Sequence, residues 1–108
     1  KESRMYGTVV RIRPKPGQEA TILAIRRRWF QERASRVPGF IAEYVLASES
    51  APGELVGLVI FDSQSNYRTN AADPEQDRWY QEFRAALAAE PEWIDGEIVA
   101  LEPATFPL

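Results

Sequence analysis

Asn66 and Asn70 are four residues apart in a stretch that reads as a short helix, so one turn carries both amides to the same side. Two amides on one face can hydrogen-bond a phenolate or quinone oxygen and stabilise charge developing there. The plainer alternative is capping and local turn bonding, which asparagine favours in short helices. Tyr67 lies between them, and Trp79, Tyr80 and Phe83 follow on the next helical stretch. Rings in offset or edge-to-face contact gain about 0.5–1.5 kcal/mol beyond their burial, so an aromatic-walled cleft suits a flat ligand. Trp79 and Phe83 also suit a core, whereas the hydroxyls of Tyr67 and Tyr80 require polar partners. The candidate catalytic set is therefore Asn66, Asn70, Tyr67 and Tyr80.

Tyr44, Trp79, Phe83 and Arg27 form the candidate substrate-binding set, with Tyr44 included if its strand face looks toward the helices. Arg27 falls inside an apolar helical stripe, between Leu23 and Phe30. An arginine there extends outward to water or meets an anion, either a ligand oxygen or Glu43. Trp29, with Ile22 and Ile25, reads as a packing or interface patch. Asp95 and Glu97 read as solvent or dimer-rim charges, with no partner that would raise a carboxyl pKa for acid–base work.

The chain has no histidine and no cysteine. That removes imidazole bases and ligands, thiol nucleophiles, thiolate metal sites and disulfides. Carboxylates alone could hold a metal, but no acidic cluster has an EF-hand-like spacing, and no metal is expected. With 13 Lys and Arg against 16 Asp and Glu, the net charge of −3 gives no electrostatic reason to bind nucleic acid or an anionic membrane. Arg26, Arg27 and Arg28 are spread around their helix and cannot form one basic face. No apolar run approaches the ~20 residues of a bilayer span and no leader-like stretch opens the chain, so the cytoplasm is the expected compartment.

The elements that must position these residues are legible. The 108 residues are one domain by length, spanning 5–102, with short tails at 1–4 and 103–108. Tyr6 to Arg13 is rich in β-branched residues and reads as a strand closed by Pro14. After Pro16-Gly17, Gln18 to Arg36 lacks Gly and Pro and reads as a helix. Its main apolar stripe is Ala20, Leu23, Ala24, Phe30, Ala34 and Val37, and Ile22, Ile25 and Trp29 form a narrower stripe nearly opposite. After Pro38-Gly39, Phe40 to Ser48 reads as a strand with Phe40, Ala42, Tyr44 and Leu46 on one face. A hairpin at Pro52-Gly53 leads to Glu54–Phe61, apolar on both faces. A short helix follows from Asp62-Ser63 to about Ala72. Asp73 then caps another, with Pro74 in its first turn and Gln76 at the capping-box position. Trp79, Phe83, Ala86 and Leu87 form its core stripe, and Trp93 to Leu101 reads as the last strand.

The order β-α-β-β-α-β predicts an α+β, ferredoxin-like sandwich with a four-stranded antiparallel sheet and both helical regions on one face. The other face is apolar, and a chain this small has no second sheet to cover it. A homodimer that buries it, forming a dimeric α/β barrel, is the expected solution. The apolar tail residues Phe106 and Leu108 are expected to pack on a neighbour.

Pro16-Gly17 before the first helix, Val37-Pro38-Gly39-Phe40 entering the second strand, and Phe61-Asp62-Ser63 leading to Tyr67 resemble the antibiotic biosynthesis monooxygenase domain. That domain is one branch of the dimeric α/β barrel superfamily, and the resemblance covers Met5 to Leu101. It implies a homodimer with a pocket in each subunit between sheet and helices. Some members oxidise aromatic polyketides with dioxygen and no prosthetic group, others degrade haem, and many have no assigned activity. Where the haem-degrading pattern often carries histidine, this chain has Asn70 in Tyr67-Arg68-Thr69-Asn70 and none in Asp77-Arg78-Trp79-Tyr80, which points away from haem degradation. The expectation is a cofactor-independent monooxygenase-like protein acting on a small hydrophobic, aromatic metabolite. The alternatives are a non-catalytic metabolite-binding or stress-associated protein of the same fold, and a haem binder using tyrosine or asparagine.

Overall fold

The computed structural model describes residues 4–102. Strand β1 (Tyr6–Ile12) leads to helix α1 (Glu19–Glu32) and a 3-10 turn (Ala34–Arg36). Strands β2 (Phe40–Ala47) and β3 (Leu55–Phe61) form a hairpin, helices α2 (Gln64–Ala71) and α3 (Pro74–Ala85) follow, and β4 (Glu92–Glu97) ends the order. The sheet runs β2-β3-β1-β4 with every neighbouring pair antiparallel. This is the ferredoxin-like α+β architecture that the element order predicts. Phe106 and Leu108 lie outside the described residues.

The three Pro-Gly steps all turn the chain through a glycine at positive φ. Gly39, at φ +80°, is the most confined: a Cβ there would lie 2.6 Å from the Asn66 amide nitrogen. Asp62 N–H donates to the Gly39 carbonyl at 2.8 Å, so this turn seats the start of β2 on the entrance to α2. Ser63 caps α2 by accepting from Asn66 N–H, and Asp73 caps α3 by accepting from Glu75 N–H with Pro74 in the first turn. Gln76 does not complete a capping box; its side chain turns toward α1.

The helix-facing side of the sheet carries Tyr6, Thr8, Val10 and Ile12 of β1, all buried. One end of the layer is closed by Val10, Ile12, Ile22, Leu55, Ala86 and Leu87, with Val45 and Phe83 packed against them. The end of α3 is tied to the chain after β1: Lys15 N–H donates to the Ala86 carbonyl and Ala88 N–H to the Arg13 carbonyl.

Helix α1 packs through the stripe that reads as secondary in the sequence. Ile22 and Ile25 are buried, whereas Leu23 and Phe30 are 43% and 55% exposed. Ile22, Ile25, Trp29 and Arg33 follow an i, i+3, i+7, i+11 spacing and meet the sheet and α3. The other stripe includes Arg27, which stays exposed. A second correction lies in β2, where an irregularity between Phe40 and Ala42 shifts the register. Phe40 pairs with Phe61 and faces the helices, while Ala42, Tyr44 and Leu46 lie on the opposite face, with Ile60, Leu58 and Val56. Strand β4 is also shorter than its sequence pattern, ending at Glu97.

Candidate functional site

Between the sheet and the helices, beyond the closed core, lies a cavity of about 500 Å³. Thr8, Val59 and Phe61 form its floor, Ile25 and Trp29 one side, and Trp79, Tyr80 and Phe83 of α3 the other. Phe40 meets Trp29 edge-on at 5.1 Å and Phe61 at 5.8 Å, which fixes this wall through aromatic contacts. Trp93 of the edge strand also reaches the cavity.

Tyr67 sets its ring between Tyr6 and Phe61, at 5.2 and 5.6 Å. Its hydroxyl donates to Asp95 Oδ1 at 3.3 Å, and the same oxygen accepts from Thr8 Oγ1 at 2.6 Å. Burial, and then the Asp95 charge, push the Tyr67 hydroxyl pKa above its ordinary value. Tyr67 therefore remains a protonated donor at neutral pH and does not serve as a base.

Asn70 lines the cavity and is held from behind. Its Oδ1 accepts from Arg33 Nη2 at 3.1 Å, and Arg33 also pairs with Asp73 at 3.0 Å. Gln76 Oε1 joins this network by accepting from Trp29 Nε1 at 2.9 Å and from Arg33 Nε at 3.4 Å. The Arg33 side chain is only 8% exposed, so its charge depends on these partners. With Oδ1 committed to Arg33, the group Asn70 retains for a ligand is its amide N–H donor.

One ion pair interrupts the apolar wall. Arg26 Nε of α1 and Glu43 Oε1 of β2 are 2.7 Å apart, and both residues line the cavity. The two atoms face each other off the line of a hydrogen bond, and neither has another hydrogen-bond partner. Burial raises the Glu43 pKa above the ordinary carboxyl value, and Arg26 opposes the shift. Among the described residues, no group of three or more His, Cys, Asp or Glu is placed to hold a metal.

The structure thus brings together Asn70, Tyr67, Tyr80, Trp79 and Phe83 of the residues singled out in the sequence. Tyr80 contributes mainly its ring, with its hydroxyl 3.5 Å from Glu90 Oε1. Three others lie elsewhere. Asn66 braces the Gly39 turn, its Nδ2 donating to Asp62 Oδ1 at 2.9 Å. Tyr44 is on the far face of the sheet and 63% exposed, because the β2 register turns it away from the helices. Arg27 is exposed, and its neighbour Arg26 makes the contact with Glu43. Sequence reasoning missed Asp95, which reads as a rim charge but binds two cavity-lining hydroxyls. Only the pairing of Thr8 with Asp95 reveals this. It also missed Trp29, whose place follows from the choice of α1 stripe.

The sequence profile of the family described as antibiotic biosynthesis monooxygenase matches residues 5–82. The chain belongs to this family. Solved structures agree on the fold. One from Chloroflexus aurantiacus J-10-fl, carrying the same family name, is 24% identical with a TM-score of 0.72, over 92% of this chain and 97% of that one. Another of the same family name, from Caulobacter crescentus CB15, is 14% identical with a TM-score of 0.79, over 91% and 92%. SnoaB, a cofactor-independent oxygenase from Streptomyces nogalater solved as an asparagine-to-alanine mutant, is 18% identical with a TM-score of 0.69, over 98% and 100%. No curated protein matches the chain. Trp93 and Asp95 of the site lie beyond the residues that the family profile covers. No helix among the described residues is long and apolar enough to cross a membrane.

Proposed function

We propose that this protein is a cofactor-independent oxygenase whose substrate is a small, flat, aromatic metabolite with an acidic C–H or O–H. The observation that carries this reading is the aromatic-walled cavity of about 500 Å³ with the Asn70 amide and the Tyr67 hydroxyl on its lining. Family membership and the likeness to SnoaB favour the same class of reaction. The substrate supplies the electrons once it is ionised to a phenolate or carbanion. A ring-flanked methylene is then oxidised to a carbonyl, with one atom of dioxygen retained in the product and the other released as water. The protein excludes water and holds the substrate oxygen by the Asn70 amide N–H, with the Tyr67 ring and hydroxyl fixed beside it by Asp95.

The test is incubation with anthrone in air while dissolved oxygen is followed. Uptake above the buffer rate, with a ketone product, is expected; uptake equal to buffer refutes the reading. A non-catalytic protein of the same fold would be favoured by a closed cleft filled with Trp79, Phe83 and Tyr44 and too small for a ring; the cavity of about 500 Å³ is not closed in that way.

The reading includes a cytoplasmic homodimer formed through the open sheet face. That face carries Val9, Val56, Leu58, Leu46 and Ile94, with Leu46 and Ile94 60% and 69% exposed. Arg11, on the same face, is matched by Glu54 at 2.9 Å and Glu92 at 3.5 Å. A neutralised apolar surface of this kind suits a second copy of the same chain better than a charged partner.

A further inference from the structure

We propose that Glu43 is the base that ionises the substrate and that Arg26 is the cation that then holds the oxyanion. The assignment rests on the oxygenase reading of the cavity and supplies the proton acceptor which that reading lacks. In a chain without histidine, an ionised carboxylate in the cavity wall is the natural acceptor.

The placement is specific. Glu43 lies opposite Val59 in the β2–β3 register, and Val59 lies opposite Thr8 in the β3–β1 register. The Glu43 side chain therefore points to the helices from the row that forms the cavity floor. Its neighbour on the same strand face, Val45, packs on the core, so this strand face does not by itself call for a charge at 43. A buried ion pair adds little to stability compared with well-packed apolar groups, so stability gives a weak reason for having one here.

The pair is also arranged to be used. Arg26 Nε and Glu43 Oε1 are shielded from solvent and turned on each other, which leaves Glu43 Oε2 and the Arg26 Nη atoms as those a ligand can reach. The other titratable groups lining the cavity are Asp77 and Tyr80 from α3 and Tyr67 from α2; β3 presents only Val59 and Phe61. Burial raises the proton affinity of Glu43 against the opposing charge of Arg26, in the direction a base needs for a weakly acidic C–H or O–H.

The transfer exchanges one buried pair for another. Before it, Arg26 and Glu43 are charged and the ligand is neutral. The proton then moves from the ligand to Glu43 Oε2, and the electron pair it leaves stays on the ligand, delocalised onto its oxygen. Glu43 becomes neutral and Arg26 pairs with the new oxyanion. No net charge is created in the cavity, so the low polarity of its walls does not oppose the step. The substrate class follows: neutral aromatics with an ionisable C–H or O–H. A carboxylated analogue, already anionic, would meet Glu43 and be disfavoured.

The test is hydrogen–deuterium exchange at C10 of anthrone under argon, with binding followed separately by quenching of tryptophan fluorescence. The protein should accelerate exchange over buffer, and Glu43→Gln should lower the enzymatic rate by about 10²-fold or more while anthrone still binds. Arg26→Gln should also slow exchange. If Glu43→Gln alone misfolds because Arg26 is left unpaired, the double variant Arg26→Gln/Glu43→Gln removes both charges and should bind without exchanging. Wild-type exchange in Glu43→Gln, or failure of the wild type to bind or exchange anthrone, overturns the assignment. Oxygen plays no part under argon. Exchange without oxygen uptake in air would refute the oxygenase reading and leave the base in place, and undiminished uptake by Glu43→Gln would do the reverse.

Discussion

Glu43 and Asp95 stand at the two ends of one cross-strand row, Glu43–Val59–Thr8–Asp95, and both face the helices. Three strand spacings separate their backbones by about 14 Å. Each carboxylate is engaged differently: Glu43 meets the Arg26 cation, and Asp95 accepts from two hydroxyls. The row thus carries a carboxylate at each end with Val59 and Thr8 between them.

Asp95→Asn should release Tyr67 in part. The Asp95 charge is the second cause holding the Tyr67 hydroxyl pKa up, after burial. The midpoint of Tyr67, followed by NMR of its ring carbon, should fall in the variant yet remain above the ordinary tyrosine value. An unchanged midpoint would show that Asp95 does not act on this hydroxyl.

Stability should depend on pH with opposite signs at two carboxyls. Asp73 is held low by the Glu75 backbone N–H and then by Arg33, so its contribution is present above the unfolded carboxyl pKa and is lost as pH falls through its lowered folded value. Glu43 is raised, so its contribution is complete below the unfolded pKa and is lost as pH rises through the raised folded value. Melting temperatures of Asp73→Asn should show less loss on acidification than the wild type. Those of Glu43→Gln should lack the decline that Glu43 causes as pH rises from the ordinary carboxyl range.

Gly39→Ala and Gly17→Ala should differ although their φ values, +80° and +78°, are nearly equal. At Gly17 no atom lies within 4 Å of the added methyl, so the cost is the left-handed backbone alone, about 1–2 kcal/mol. At Gly39 the methyl also meets Asn66, and the loss should exceed that of Gly17→Ala. Urea midpoints of the two variants give the comparison directly.

Leu58→Glu should separate the proposed dimer without unfolding the subunit. Leu58 is paired with Val9 and Tyr44 on the face away from the helices, where no described element covers it. The wild type should sediment as a dimer at micromolar concentration and the variant as a monomer with the same far-ultraviolet circular dichroism. A monomeric wild type would refute the proposed interface.

The elements were largely legible because their signals are local. The Pro-Gly steps, the β-branched run of β1 and the caps at Ser63 and Asp73 each act within a few residues. Where two local signals competed, pattern alone misled. Both stripes of α1 are apolar, and the packed molecule buries the one carrying Ile22 and Ile25, which sets Arg26 against Glu43 and leaves Arg27 exposed. The irregularity at Phe40 and Ala42 left no mark in the alternation, yet it turned Phe40 into the cavity wall and left Tyr44 outside.

By itself, then, the amino-acid order determined the sequence of strands and helices, the ferredoxin-like sandwich, and a chemistry without imidazole or thiol. Only the tertiary structure decided which aromatic groups share one cavity, that Arg33 holds Asn70, and that Glu43 and Asp95 end one cross-strand row. The physical reason is distance along the chain. Propensity and turn preference are properties of neighbours, whereas Thr8 meets Asp95 across a separation of 87 residues, through a strand register that no short stretch encodes.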